Sequence, residues 1–411
     1  MLPVPVDQRC EFLSPEWIRE AGAFLEATVP TRPELAASRF SLCEAFDDAP
    51  PSLAPERGHR LAWHFAIDRG RAEAGCGERL DVDLRVTGRY QAALGFAQLV
   101  HAAGPEAVAR GQRELRHLWG DDALRLHGTL PQDPAVQRLL TDLHDHMAAR
   151  TIENPHFAHR VGQMGLERQV EQLTELGYAV IENAITPETA DALCELTARE
   201  VRRHHPLTTN GLMMRDRLFE EVVQHSRVTT LAQSAVGQNM ILGAMSGTWK
   251  KPGPGAIPLH ADYPLVREPY PEFGLIAVAV WALQDWDSGA VGPTWVLPGS
   301  HRHRRPPRRD EPLDGAVPIL MPKGSALVIS HGIWHWQGDR TAPGARVAMH
   351  VTYNRVFVRP LDDFSAVDDA YLARNPPAFS TLMGRDDPFG KSSYQGHDAK
   401  RFAYAGRFTQ T

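Results

Sequence analysis

In the run PLHADYPL, His260 and Asp262 stand two residues apart. On an extended segment that spacing sends both side chains off one face, so an imidazole and a carboxylate can meet a single ion. In a chain with 19 His such a pair also arises by chance, and a surface pair is the other reading. A third nitrogen lies downstream in GSALVISHGIWHWQGDRTAPGAR, where a strand-like run leads to His331 and His335. Two imidazoles and one carboxylate on one face of an octahedral ion form the ligand set of non-haem Fe(II) oxygenases, which leaves open positions for a co-substrate and O2. Zinc takes the same ligand types in hydrolases, where a water completes the site and no carboxylate-binding Arg is needed.

Such an Arg follows. In RVAMHVTYNRV, strand alternation puts Arg346, Ala348, His350 and Thr352 on one face and Val347, Met349, Val351 and Tyr353 on the other. If the first face lines a barrel interior, a guanidinium there is costly unless paired, and a dicarboxylate would satisfy its planar fork. If it lies outside, Arg346 is an ordinary exposed cation.

These runs, together with WALQDWDSGAVGPTWVLPGSH, resemble the phytanoyl-CoA dioxygenase family of Fe(II)- and 2-oxoglutarate-dependent oxygenases over roughly residues 166–358. The family pattern has an HxD pair, a Gly-Pro-Thr and Pro-Gly-Ser-His segment, a distal His and an Arg eleven residues beyond it. Here these fall on His260 and Asp262, residues 292–294 and 298–301, His335 and Arg346, and the spacing selects His335 over His331. The resemblance implies a double-stranded β-helix, or jelly roll. It also implies Fe(II) on His260, Asp262 and His335, with 2-oxoglutarate chelating that ion and reaching Arg346. O2 would be the oxidant, and succinate and CO2 the co-products. Thr294 matches a position whose hydroxyl helps hold the co-substrate, and Trp281 one where an aromatic lines the same pocket; a core aromatic is the other reading of Trp281. His350 reads as a satisfied interior histidine, and His301 and His303 as part of a solvated basic loop. The run after His335 departs from the family's usual small and Asn-containing sequence, with Trp336, Gln337 and Asp339 in its place. Halogenating relatives replace the carboxylate of the HxD pair with a small residue, so Asp262 points to C–H oxidation.

The elements that must position these groups make an α+β chain: a jelly-roll catalytic domain with flanking helices over 166–411, a connector at 151–165, and an N-terminal α+β domain over 1–150. From Ile241 onward, short strand-like runs separated by Gly and Pro suggest a sandwich or jelly roll. Just before them, Thr186 and Pro187 mark a helix start. In the first 150 residues, LAWHFAIDRG and RLDVDLRVTG alternate as strands, GRAEAGCGE reads as a Gly-rich turn between them, and a helix from Tyr90 stops at Gly104-Pro105. This region resembles the sterol-carrier type of lipid-binding fold, in which a small sheet and helices enclose an apolar tunnel. Met213, Met214, Arg215 and Arg217 are read either as a pocket wall or as a helix start with solvated arginines. The polar last fifty residues suit a flap, a lid or a partner surface.

Composition bounds the function. Of 411 residues, 44 are basic and 50 acidic, a net charge of −6 that argues against nucleic acid as the main partner. Four scattered cysteines exclude a disulfide scaffold and fit a reducing cytoplasm. The longest apolar run, residues 275–283, falls far short of the roughly 20 residues of a membrane span, and the N-terminal residues lack a basic region followed by an apolar one. The expectation is an oxygenase that hydroxylates, or otherwise oxidises, an unactivated C–H bond of a small apolar or natural-product-like substrate. The rival is a non-catalytic jelly-roll scaffold with a lipid-binding N-terminal domain. Oligomeric state is left open.

Overall fold

The computed structural model describes residues 4, 8–54, 60–154, 156–204, 208–262 and 265–385. The chain forms two compact units: Met1–Arg160 with Val367–Ser380, and Val161–Ala366 with the residues from Thr381. The expected division at 151–165 thus differs in two ways. A helix, Phe157–Gln163, occupies the connector, and Val367–Ser380 packs with the first unit, where Phe379 is fully buried.

In the first unit, strands β1 (Arg39–Asp47), β2 (Leu61–Asp68), β3 (Arg71–Cys76), β4 (Leu84–Arg89) and β5 (Leu124–Gly128) make one sheet in the order β3-β2-β1-β4-β5, with β1 and β4 parallel. Helices α1 (Pro15–Thr28), α2 (Tyr90–Ala97), α3 (Pro105–Trp119) and α4 (Pro134–Ala148) accompany it. Ser14 caps α1 by accepting from the Trp17 N–H and Asp133 caps α4 by accepting from the Ala135 N–H, each followed by Pro at the first helical position. The stretch expected to be a Gly-rich turn is strand β3. The turn is only Arg69-Gly70, both at positive φ, the geometry that joins antiparallel strands in two residues. Leu80 and Val82 were expected on a strand, but β4 begins at Leu84 and Leu80 is largely exposed.

The second unit opens with helix α5 (Glu167–Leu176), strand β6 (Tyr178–Ile181) and helix α6 (Pro187–His204), whose Thr186 hydroxyl accepts from the Thr189 N–H. Strand β7 (Thr208–Thr209) and helices α7 (Arg217–Val222) and α8 (Ser226–Val236) follow. Then come β8 (Ile241–Lys250), β9 (Ile276–Ala282), β10 (Thr294–Leu297), β11 (Val317–Pro318), β12 (Ala326–Ser330), β13 (Trp334–Gln337) and β14 (Arg346–Asn354). They form a six-stranded sheet, β6-β12-β9-β14-β8-β7, and a three-stranded sheet, β11-β10-β13. Val278, Val280, Ala282, Leu327 and Ala348 of the large sheet share an apolar core with Val296 of the small one, the two-layer arrangement of a jelly roll. The opposite face of the large sheet is covered by helices: the Tyr353 hydroxyl donates to the Val223 carbonyl, and Trp281 packs edge-on against His225 at the start of α8.

A helix does start at Arg217, capped by Asp216, but the arginines are not solvated: Arg215 pairs with Glu200 at 3.0 Å and Arg217 with Glu220 at 2.6 Å, both glutamates buried. Met213 is buried as well. No helix among the described residues is long and apolar enough to cross a membrane. Most of the tail read as a flap, lid or partner surface, residues 386–411, lies outside the described residues.

Candidate metal centre

The segment around His260 runs antiparallel to β13. The His260 N–H donates to the His335 carbonyl at 3.0 Å and the His335 N–H returns the bond at 2.9 Å, so two positions 75 residues apart become a directly facing pair. Their ring centroids are 4.1 Å apart. Asp262 brings its Oδ1 to 3.5 Å from His260 Nε2 and 3.9 Å from His335 Nε2. The three ligand atoms all lie within 4.8 Å of one another. Atoms bonded at about 2.1 Å to one ion and at right angles to each other are about 3 Å apart, so a small contraction closes this triangle on an ion.

Backbone carbonyls fix which nitrogen faces that ion. His260 Nδ1 lies 2.8 Å from the Pro258 carbonyl and His335 Nδ1 lies 3.1 Å from that of Ile333, so each Nδ1–H donates there and Nε2 is the nitrogen that each ring turns toward Asp262. Burial opposes the Asp262 charge, but the fields of His335 and His260 outweigh it and lower its pKa. Burial also opposes a charged His260, yet the Asp262 hydrogen bond and charge prevail and raise it. Burial lowers His335 against the pull of Asp262. A carboxylate beside a neutral imidazole is what a divalent ion needs. His331, the other candidate, stays outside the triangle against Tyr270, its pKa pushed down to about 4 by burial.

Arg346 faces inward. Alternation puts it on the Ala348 face of β14, where it is 3 % exposed, packs 4.6 Å over the Trp286 ring and donates to the Gly292 carbonyl. Its Nε has no hydrogen-bond partner and no carboxylate forms an ion pair with it among the described residues. Burial, with Arg340 nearby, pushes its pKa down to about 10. Lys250, its cross-strand partner, is buried as well and donates to the Pro254 carbonyl at 2.7 Å, while Arg340 donates to Val291 and Pro343 carbonyls. Three buried cations whose hydrogen bonds go to carbonyls gather here, with the Asp339 carboxylate acting on Lys250 and no carboxylate paired with Arg346 among the described residues. Gly292, at φ +69°, belongs to its wall: a Cβ there would meet Lys250 Cε at 2.9 Å and Arg340 Cβ at 3.0 Å.

Thr294 and Trp281 divide. Thr294 pairs with Gln337 on β13, two residues from His335, so it shares the inner face with that histidine. Trp281 pairs with Met349, on the face opposite Arg346, and is buried under α8. The sequence-based placement of Trp281 in the co-substrate pocket is therefore corrected: strand parity sends it to the helix side, and Trp286, five residues on, is the aromatic against Arg346. His350 is corrected too. It lies on the Arg346 face with a buried Nδ1 that has no partner, and burial together with Arg346 pushes it down to about 4. His303 stacks on Trp334 and His301 faces the Thr174 carbonyl, both away from the triangle.

Gln337 and Asp339, which depart from the family pattern, have a visible task. Gln337 Oε1 accepts from the Ala256 N–H and Asp339 Oδ1 from the Gly255 N–H, each at 2.9 Å, pinning the loop that leads to His260. Their acceptor side chains were the available signal; Lys250, Trp286 and Arg340 carried none that spacing could detect.

Fold and site together define a jelly roll carrying a two-histidine, one-carboxylate centre beside a cationic pocket. The phytanoyl-CoA dioxygenase (PhyH) family model matches residues 168–348 of this chain. A Mycobacterium bovis protein, Mb1539, is 24 % identical over 240 residues, covering 53 % of this chain and 86 % of its own. Dioxygenase af480 of Aspergillus fumigatus is 27 % identical over 157 residues, 37 % of this chain and 49 % of its own. Among solved structures, the epimerase SnoN with Fe3+, alpha-ketoglutarate and nogalamycin RO is similar at a TM-score of 0.41 and 20 % identity, over 50 % of this chain and 92 % of its own.

Proposed function

We propose that the chain is an Fe(II)- and 2-oxoglutarate-dependent oxygenase that oxidises a C–H bond of a small, apolar or natural-product-like molecule. The observation that carries this reading is the pairing of the His260–Asp262–His335 triangle with a buried, carboxylate-free Arg346 on the inner faces of one jelly roll. A divalent ion fits the first and a diacid the second. When bound, Fe(II) with 2-oxoglutarate supplies O2-dependent C–H oxidation, with succinate and CO2 as co-products.

The protein's own groups bind and orient. His260, Asp262 and His335 would hold the ion on one side, their Nδ1 atoms tied to backbone so that the Nε2 atoms cannot turn away. Arg346 would take the far carboxylate of the diacid, with Trp286 beneath the guanidinium and Lys250 and Arg340 adding positive field. Thr294 would offer its hydroxyl from the same inner face. The large apolar core of Val278, Val280 and Val296 keeps water from the inner wall.

Succinate release on addition of Fe(II), O2 and 2-oxoglutarate tests the reading, with zinc in place of iron as control. Turnover with zinc that ignores 2-oxoglutarate would move the assignment to a hydrolase. The absence of turnover with every metal across a broad substrate panel would favour the non-catalytic scaffold.

A further inference from the structure

The first unit contains a cavity that the oxygenase chemistry does not use. The inner face of its sheet is apolar over Phe40, Leu42 and Phe46 of β1, Trp63 and Phe65 of β2, and Leu84 and Val86 of β4. In the register, Glu44 stands opposite Trp63 on one side and Val86 on the other, so a carboxyl group interrupts this face. Helices α1, α2 and α4 contribute the facing wall, and a space of about 220 Å³ remains between them and the sheet. Trp17, Trp63, Phe65, Phe96 and Met147 line it, with Glu44 and His144 as its ionisable members.

Glu44 is incompletely satisfied. Its Oε2 accepts from Trp63 Nε1 at 2.7 Å, which leaves the other oxygen without a donor, and no cation acts on it. His144 does not supply one, because its Nε2 lies 2.8 Å from the Leu99 carbonyl and burial pushes its pKa down to about 4. Glu44 is partly buried, and removing its carboxyl group from bulk water costs free energy that a single hydrogen bond does not return. A Leu at position 44 would continue the apolar pattern of β1, at the cost of the acceptor for the Trp63 indole N–H.

We propose that this cavity binds a small apolar molecule ending in one hydrogen-bond donor, an alcohol or an amine, with the donor on the free oxygen of Glu44. The aromatic walls take the body of the ligand, and suit the amine through their ring faces. A plain hydrocarbon leaves Glu44 unpaired, and an organic acid sets a second carboxyl group against it. The volume exceeds the roughly 150 Å³ that accommodates benzene, so one ring with a short arm fits.

Calorimetric titration of the full chain with 2-phenylethanol, 2-phenylethylamine, ethylbenzene and 3-phenylpropanoate tests this. The alcohol or the amine should bind at least about tenfold more tightly than ethylbenzene, with the acid weakest. Glu44→Leu should erase that preference while ethylbenzene still binds, and Ala97→Phe, which fills the cavity, should abolish binding of every probe. Should Glu44→Leu fail to fold, Glu44→Gln serves: it keeps an acceptor and loses the charge, so amine binding should weaken more than alcohol binding. An amine preferred over the alcohol makes the ligand a cation, and the reverse order makes it neutral; either supports the proposal. Equal affinity for ethylbenzene, an unchanged donor preference in Glu44→Leu, or no binding of any probe overturns it.

Discussion

Replacing Arg346 with Met should nearly preserve the stability of the metal-free fold while destroying affinity for 2-oxoglutarate. Burial and Arg340 push the guanidinium pKa down to about 10, a cost near 3 kcal/mol against its charged form that Met escapes. Against this stand the lost packing over Trp286, about 2 kcal/mol for a desolvated cation on a ring, and the lost charged hydrogen bond to Gly292, about 1.5–3 kcal/mol. The terms almost cancel, so Tm should move by only a few degrees. Removing one side of a buried charge pair with the diacid costs about 2–5 kcal/mol, so Kd for 2-oxoglutarate should rise by roughly 30-fold to several thousandfold. Calorimetric titration with Mn(II) in the iron site measures the second quantity and thermal unfolding the first. A variant that binds 2-oxoglutarate within about threefold of wild type while its Tm collapses would refute the reasoning and make Arg346 a structural cation.

Trp281→Leu should cost about 2–4 kcal/mol of stability, read by denaturant unfolding, and leave 2-oxoglutarate affinity unchanged, because that ring faces α8. Gln337→Ala frees the Ala256 N–H and should weaken metal binding about tenfold, measured by competition with a chelator. His144 takes up its proton at about 4 in the fold but at 6.5 when unfolded, so the unfolded chain binds more protons between those values. Stability should therefore rise with pH from about 4 to 6.5 and level off above. His144→Gln should shrink that acid limb by up to about 3 kcal/mol in urea titrations across the range.

Much of the second unit was legible because its chemistry and its pattern coincide. The HxD spacing, the distal His and the alternation of RVAMHVTYN each survive in the structure as neighbouring atoms or shared faces. Trp281 was misassigned because its burial says nothing about which face of β9 it occupies; only the register against Met349 decides that. Lys250 and Arg340 reach the Arg346 pocket through cross-strand pairing and a loop bridge, contacts that local sequence does not encode. In the first unit, strand β3 hid behind small residues and glycines, and the central strand β1 went unread because Ser41, Cys43 and Glu44 blur its alternation. Glu44 breaks that pattern at the cavity.

The most direct test is an anaerobic titration of the chain with Fe(II) and then 2-oxoglutarate, followed by the visible metal-to-ligand charge-transfer absorption that requires both on one ion. The account predicts a band saturating at one equivalent of each in the wild type and in His331→Ala, and none in His260→Ala or His335→Ala. A band that persists without His260 or without His335, or that never forms in the wild type, would contradict it.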